Sequence, residues 1–257
     1  MNSKKEPRDI VIKEFKIEEM YPSCTWIIIG VPGSGKTTLI ENLAYYHKNR
    51  YPVARVMVGT EGGYKRFCGI FQPLFVSNSY DEMHEKTHIL RQRTCALDGT
   101  MEKSQGKYAI NILDDVSDDT KIYRTKTMNA LFKLGSQHYN QCFIIGTQYA
   151  IDVPPQIRRA VSYVALFKEP NEIERKKLYQ NFGGICGTYD DFCDLMDQLT
   201  GDYTCMIIDK RSQSSNREDC VFWYRTVLLG DWKFGCKEYR EWNNTRYNPN
   251  YVEKILI

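Results

Sequence analysis

The chain has 257 residues, nine cysteines and a formal net charge of +3. This length supports one sizeable core, so we expect a single domain over residues 1–257, with an N-terminal edge segment (1–20) and a C-terminal hairpin and tail (200–257). The sequence lacks a run of about 18 apolar residues, which argues against a membrane span. Cysteines without a C-x-x-C pair favour free thiols in a reducing compartment, and the small net charge does not by itself indicate a nucleic-acid partner.

Apolar runs and helical patterns alternate along most of the chain. Strands are predicted at residues 9–15, 24–29, 53–58, 74–76, 108–113, 142–145 and 163–167. Helices are predicted from the glycine-rich loop to about residue 49, from a Ser79–Glu82 capping pair to about 96, and over 125–139, 171–181 and 189–199. Residues 59–63 are predicted to form a glycine-rich turn, 98–107 a loop, 205–208 and 221–227 a hairpin, and 241–257 a loosely held tail.

This alternation of strands and helices predicts the fold class. It indicates an α/β fold with a mainly parallel central sheet flanked by helices, followed by the C-terminal β-hairpin.

A phosphate-binding loop follows the second predicted strand. Residues 30–37 read G-V-P-G-S-G-K-T, which matches the P-loop pattern G-x-x-x-x-G-K-[ST] between an apolar strand and a helix. The loop amides and the helix N-terminus suit a triphosphate, with Lys36 at the β- and γ-phosphates and the Thr37 hydroxyl on Mg²⁺. The predicted nucleotide-binding residues are Gly30, Val31, Pro32, Gly33, Ser34, Gly35, Lys36, Thr37 and Thr38.

Two adjacent carboxylates end the strand predicted at residues 108–113. Ligands bind at the carboxyl ends of the strands in open α/β sheets. Asp114 therefore fits the Walker B residue that holds Mg²⁺. Asp115 fits a general base for the attacking water, a role that nearby like charge assists by raising a carboxyl pKa toward neutrality. The alternative is that both acids cap the next helix, for which Asp118 and Asp119 are better placed.

Two further polar residues complete the predicted catalytic set. Gln148 follows an apolar strand, where its amide could bond both the lytic water and the γ-phosphate; the alternative is a buried amide that satisfies backbone groups. Arg158 follows two prolines on a predicted short helix and fits an arginine finger acting on a neighbouring subunit. The alternative for Arg158 is a surface ion pair, and Arg159 is a second candidate for the finger.

In this order and spacing, the segments resemble the genome-packaging ATPases of nucleocytoplasmic large DNA viruses, the poxvirus- and iridovirus-type members of the FtsK/HerA superfamily of P-loop (RecA/ASCE-like) ATPases. Among these, the chain looks similar to the iridovirus-type enzymes. The resemblance runs from about residue 12 to residue 239, and its specific part is C-terminal. Segments that carry it include I-I-I-G-V-P-G-S-G-K-T-T, N-I-L-D-D, T-Q-Y-A-I-D-V-P-P-Q-I-R-R, Y-T-C-M-I-I-D, V-F-W-Y-R-T and W-K-F-G-C-K-E-Y.

The resemblance implies an ATP- and Mg²⁺-dependent motor, a homo-oligomeric ring, that moves double-stranded DNA into a preformed capsid. It further implies capsid or portal proteins as partners, and a location in the host cytoplasm (the virus factory) and the virion. By the family pattern, Lys36 and Thr37 bind phosphate and Mg²⁺, Asp114 and Asp115 form Walker B, Gln148 is the sensor and Arg158 the finger. One departure is that cellular relatives often carry Asp-Glu at Walker B, whereas the Asp115 side chain is shorter than that glutamate and reaches less far.

The sequence leaves other functions open. A translocase of the same superfamily without a capsid would carry the same motifs. A nucleoside or nucleotide kinase would transfer phosphate to a small acceptor, and a nucleotide-gated scaffold would barely hydrolyse ATP. For a DNA motor, we predict that one or more of Lys65, Arg66, Lys121 and Arg124 line the DNA channel, because phosphate contacts dominate sequence-independent binding.

Overall fold

The computed structural model describes residues 11–97, 107–116, 120–135 and 138–250. Within these ranges, nine strands form one sheet. The strands are β1 (Lys13–Glu14), β2 (Thr25–Ile29), β3 (Val53–Val58), β4 (Val76–Ser77), β5 (Ala109–Asp114), β6 (Gln141–Thr147), β7 (Tyr163–Leu166), β8 (Thr204–Asp209) and β9 (Val221–Arg225). The longer helices are α1 (Lys36–Tyr46), α2 (Glu61–Ile70), α3 (Glu82–Leu97), α4 (Lys126–Ala130), α5 (Pro155–Ala160), α6 (Glu172–Phe182), α7 (Tyr189–Leu199) and α8 (Lys237–Arg246).

The sheet has the order β1-β9-β8-β7-β2-β6-β5-β3-β4. Every pair is parallel except those that β8 makes with β7 and β9. The mainly parallel α/β sheet and the C-terminal hairpin are therefore confirmed. Because β2 lies between β7 and β6, the carboxyl ends of these three strands meet where the glycine-rich loop begins.

Two apolar cores cover the two faces of the sheet. One includes Leu39 and Leu43 of α1 together with Phe67 of α2. The other includes Met128 of α4 and Phe192 of α7. All five residues of β2 are buried, as expected for a central parallel strand covered on both faces.

Several predicted elements agree closely with the structure, and others are wrong at their ends. The strand at Val53–Val58 and the helix at Tyr189–Leu199 have the predicted bounds, and a capping box of Thr188 and Asp191 opens the helix. Residues 59–63 are not a free turn, because the Thr60 side chain accepts the Gly63 amide and α2 begins at Glu61. Pro73 opens a 3-10 turn, so β4 starts only at Val76.

The cap of α3 also differs from the prediction. Asp81, rather than Ser79, accepts the His84 amide at 2.7 Å. The predicted partner Glu82 instead accepts hydrogen bonds from the backbone amide and the hydroxyl of Thr127. These two bonds join the first turns of α3 and α4. The predicted loop at 98–107 lies almost wholly outside the described residues.

Two other segments depart from the expected pattern. The helix predicted at 125–139 is α-helical only over Lys126–Ala130 and continues as a π-helical turn over Leu131–Gly135, where glycine weakens regular helix. The predicted loose tail begins inside α8. This helix is held by the Tyr239 hydroxyl, which donates to the Ala54 carbonyl at 2.8 Å, and by Asn243 Oδ1, which accepts the Leu74 amide at 3.0 Å.

Across the described ranges, none of the helices has both the length and the apolar character that crossing a bilayer requires.

Candidate functional site: the glycine-rich loop and the carboxyl ends of β5 and β6

The glycine-rich loop curls between β2 and α1. Gly33 has φ +77° and Gly35 φ +113°, a left-handed backbone that glycine adopts without strain. The Gly30 amide donates to the carbonyl of Thr147, the last residue of β6, at 3.3 Å. A side chain at Gly30 would collide with Phe167, which packs beneath the loop. The loop is therefore fixed by its neighbours on both sides of β2.

Lys36 and Thr37 reach from the first turn of α1 toward the carboxylates on β5. The buried Lys36 Nζ donates to the Gly30 carbonyl at 2.8 Å and lies 3.9 Å from Asp115 Oδ1. The Thr37 hydroxyl donates to Asp114 Oδ2 at 2.9 Å. The fold thus brings together the loop and the two acids that the sequence placed in one site.

Asp114 is a buried carboxylate, and one of its oxygens is available to bind a ligand. It is 2% exposed, and its Oδ1 accepts no hydrogen bond from any residue that the structure describes. A Cβ at Gly146 would collide with this oxygen, so the glycine makes room for the carboxylate. Burial, assisted by the charge of Asp115, raises the pKa of Asp114 to about 6, against the opposing effects of Thr37, Lys36 and Arg66.

This donor set fits a divalent cation. Mg²⁺ prefers carboxylate and hydroxyl oxygens, and an orphaned buried carboxylate oxygen beside a threonine hydroxyl supplies both. Thr37 and Asp114 would hold the ion, directly or through water. Among the residues described, no group of three or more His, Cys, Asp or Glu side chains forms a separate metal cluster.

The raised pKa of Asp114 predicts that this residue costs stability at neutral pH. The carboxyl group is charged at pH 7 in both states, but burial penalises it only in the folded state. Between about pH 4 and 6 the folded protein binds more protons, so the contribution of this group to stability falls as pH rises through that window. We expect Asp114→Asn to raise the free energy of unfolding at pH 7 by about 1–3 kcal/mol, and to raise it little at pH 4.5. Urea denaturation without nucleotide or Mg²⁺ measures both; a variant less stable than the wild type at pH 7 would contradict the assignment.

Asp115 occupies a strained backbone position next to Asp114. Its φ is +49°, which is uncommon outside glycine. Its amide donates to the Gly146 carbonyl at 3.0 Å. A side chain at Gly59 would collide with the Asp115 carbonyl, so β3 also packs against this peptide. Neighbours on two sides therefore fix the Asp115 peptide, and its carboxylate lies 3.9 Å from Lys36 Nζ.

Gln148 lies at the tip of β6, between the strands that end in the glycine-rich loop and in Asp114. Its side chain is half-buried, and no hydrogen bond joins it to another described residue. The preceding Thr147 hydroxyl donates to Asp152 Oδ2 at 3.2 Å, which orders the loop that follows. The position suits the predicted sensor, while the sensing role stays a prediction.

Arg158 lies outside the cluster that the glycine-rich loop forms with Asp114 and Asp115. It lies on α5, and its guanidinium donates to the Ala150 carbonyl at 2.8 Å. Within the part of the chain that the structure describes, Arg158 forms no ion pair, and burial lowers its pKa. The adjoining Arg159 is exposed. The fold does not bring Arg158 to the glycine-rich loop of its own chain, so a catalytic role would require a second subunit.

The four residues predicted to line a DNA channel differ in their exposure and in their ion pairs. Arg66 is paired with Glu41 and turns toward α1, and its role as a channel residue stays a prediction. Lys65 is 74% exposed and pairs with Glu61. Lys121 and Arg124 lie exposed on a 3-10 turn after β5.

Sequence reasoning missed the residues that support this site from other elements. Thr226, after β9, lies beside Gly35. Asn42 of α1 bonds the backbone of Val227 through both its amide nitrogen and its oxygen. No sequence spacing predicts such contacts, since they join segments about 185 residues apart.

The fold and the site together define a protein with a P-loop nucleotide-binding fold. No protein-family model matches the chain. It is 36% identical over 228 residues to the uncharacterised protein 075L of Invertebrate iridescent virus 6, covering 88% of this chain and 86% of that protein. The chain belongs to the family of iridovirus proteins that includes 075L.

Solved structures share the fold at low sequence identity. One is the genome packaging NTPase B204 of Sulfolobus turreted icosahedral virus 2 in complex with ATP-gammaS, with a TM-score of 0.57 and 14% identity over 81% of this chain and all of that one. Another is the pCW3 conjugation coupling protein TcpA with ATPgS, with a TM-score of 0.54 and 11% identity over 81% of this chain and 61% of that one.

Proposed function

We propose that the protein is an ATP-driven translocase of double-stranded DNA that packages a viral genome into capsids. The observation that carries the proposal is the convergence of Lys36, Thr37, Asp114, Asp115 and Gln148 at one edge of the sheet, in a fold shared with a viral genome-packaging NTPase. The loop and Lys36 suit a triphosphate, and the acids and amide beside them suit its hydrolysis rather than its storage.

In the proposed reaction, the loop amides and Lys36 bind the β- and γ-phosphates. Water attacks the γ-phosphorus, the bond to the ADP oxygen breaks, and the water proton passes to Asp115, giving ADP and phosphate. Gln148 orients the water. A Mg²⁺ ion held by Thr37 and Asp114 would neutralise charge on the phosphates. Burial keeps solvent from competing for the Asp114 carboxylate.

The DNA part of the proposal rests on the fold neighbours and the viral family. A ring of subunits would gather exposed cations such as Lys121 and Arg124 around one channel and focus a positive field there despite the small charge of each chain. Contacts to phosphate would then make binding independent of sequence and weaker at high salt. The proposed partners are duplex DNA, further copies of this chain and capsid or portal proteins, in the host cytoplasm and the virion.

The direct test is the rate of ATP hydrolysis with and without linear duplex DNA. We expect duplex DNA to raise kcat, with half-saturation moving to higher DNA concentration as salt increases from 50 to 200 mM. Lys36→Ala should show no turnover in either condition, because it lacks the phosphate ligand. A rate indifferent to DNA at every salt concentration would overturn the translocase assignment while leaving the ATPase site intact.

The shared fold of a conjugation coupling protein supports a second candidate, a DNA translocase that does not serve a capsid. Co-purification separates the two, since a packaging motor binds empty capsids of its virus and a coupling protein does not. A nucleotide kinase is disfavoured by Asp115 and Gln148, and would show phosphate transfer from ATP to nucleoside monophosphates in place of phosphate release.

A further inference from the structure

An arginine on α2 forms hydrogen bonds to α1, the helix that follows the glycine-rich loop. The Arg66 guanidinium binds both carboxylate oxygens of Glu41, with Nη2 2.8 Å from Oε2. The same Nη2 donates to the Thr38 hydroxyl at 3.2 Å. Thr38 and Glu41 are three residues apart and lie on one face of α1. This three-residue contact, which we name the α1–α2 clamp, begins one residue after Thr37.

The clamp is a partly buried ion pair with fixed geometry, unlike an exposed ion pair on the surface. Glu41 is 6% exposed, and the Arg66 side chain is 43% exposed. A buried carboxylate is stable as an anion only with a well-placed partner, and a planar guanidinium bonded to both oxygens restricts the angle between the two helices. An exposed pair such as Lys237 and Glu241 on α8 imposes no such restriction.

The residue before the N-cap of α2 contacts the backbone of Asp114 and Asp115. Gly59, immediately before its cap, donates its amide to the Asp114 carbonyl at 3.0 Å. The same glycine lies so close to the Asp115 carbonyl that it has no room for a side chain. The segment from Gly59 through α2 therefore touches the Asp115 peptide at its start and, through Arg66, the first turns of α1.

From this geometry we propose that Arg66 is a positioning residue for ATP hydrolysis. It fixes α1, which carries Lys36 and Thr37, relative to the turn that supports Asp115. Arg66 itself does not contact the reacting atoms. A shift of about 1 Å between reacting groups can cost about 100-fold in rate. The hydrogen bonds of Arg66 go to Glu41 and Thr38 and not to the amides of residues 30–35. The inference rests on the proposed ATPase function and adds a residue to it.

The test removes the clamp without leaving a buried charge alone. In the double variant Arg66→Met with Glu41→Gln, both charges are absent, and basal ATP hydrolysis is measured without DNA. We expect kcat to fall about 10- to 100-fold, with KM within about threefold of wild type and a similar melting temperature. The control is Lys237→Met with Glu241→Gln, which makes the same charge change far from the site and should keep wild-type kcat.

A second variant separates positioning from folding. Arg66→Lys keeps the charge beside Glu41 but cannot bind both oxygens and Thr38 together. We expect the Arg66→Lys protein to fold like the wild type and to retain less than a tenth of the wild-type kcat. Wild-type kcat in either variant, or equal losses of kcat, nucleotide affinity and thermal stability, would overturn the inference. The proposed function is tested separately, because these assays contain no DNA and the DNA assay uses the unaltered clamp.

Discussion

Arg158→Ala is expected to lower kcat for ATP by about 10³-fold or more, the range seen when an arginine finger is removed. In the structure, Arg158 contacts the Ala150 carbonyl of its own chain and does not reach its own glycine-rich loop. Its effect must therefore pass through a neighbouring subunit. Loss of the Ala150 hydrogen bond alone would cost about 1 kcal/mol of stability and would leave kcat nearly unchanged. Steady-state kinetics and thermal unfolding distinguish these outcomes.

A mixing experiment tests whether the arginine acts between subunits. Arg158→Ala and Lys36→Ala proteins should each be inactive, and a mixture should recover part of the activity. In a mixed oligomer, a subunit with an intact Lys36 can receive Arg158 from its neighbour. The exposed Arg159 is the matched control, and Arg159→Ala should keep most of the wild-type rate. No recovery on mixing, or a larger loss from Arg159→Ala, would contradict the assignment to Arg158.

Asp115→Asn is expected to reduce kcat by about 10²–10⁴-fold, the usual contribution of a general base. The amide cannot accept the proton of the attacking water, while the strained backbone at φ +49° suits asparagine as well as aspartate. Folding and ATP affinity should therefore stay near wild-type values. Loss of the Asp115 charge near Lys36, at 3.9 Å, should if anything strengthen phosphate binding.

The distinguishing measurement combines single-turnover hydrolysis with equilibrium binding of a fluorescent ATP analogue. Unchanged binding with a slow chemical step supports the base assignment. A rate within about threefold of wild type would show that another group accepts the proton. Asp115→Glu tests the short side chain: this variant carries the Asp-Glu pair of cellular relatives and should retain far more activity than Asp115→Asn.

Local patterns in the sequence predicted the parts of this molecule that depend on neighbouring residues. The glycine spacing around Lys36 predicted the loop between β2 and α1, and the apolar run before Asp114 predicted a strand that ends in acids. Parallel strands place their carboxyl ends together. The meeting of Thr37 with Asp114, 77 residues apart, therefore followed from fold class alone.

Features that depend on packing between distant segments could not be predicted in this way. Arg66 reads as an ordinary surface cation beside Lys65, and only the fold shows that it turns inward to Glu41. Gly146 reads as a residue inside an apolar strand, yet it makes room for the Asp114 carboxylate. Helix α8 was missed because its residues are mostly polar, and its attachment depends on Tyr239 reaching a carbonyl on β3.

The central claim is that ATP hydrolysis drives movement along duplex DNA, and displacement of a third strand tests it most directly. A fluorescent oligonucleotide bound as a triplex on a linear duplex is released when a motor moves through it. We predict release with ATP and Mg²⁺, at a rate that follows ATP turnover. Release should be absent with a non-hydrolysable ATP analogue and in Lys36→Ala and Asp115→Asn. Brisk ATP hydrolysis in the presence of the same DNA, with the third strand left in place, would contradict the account.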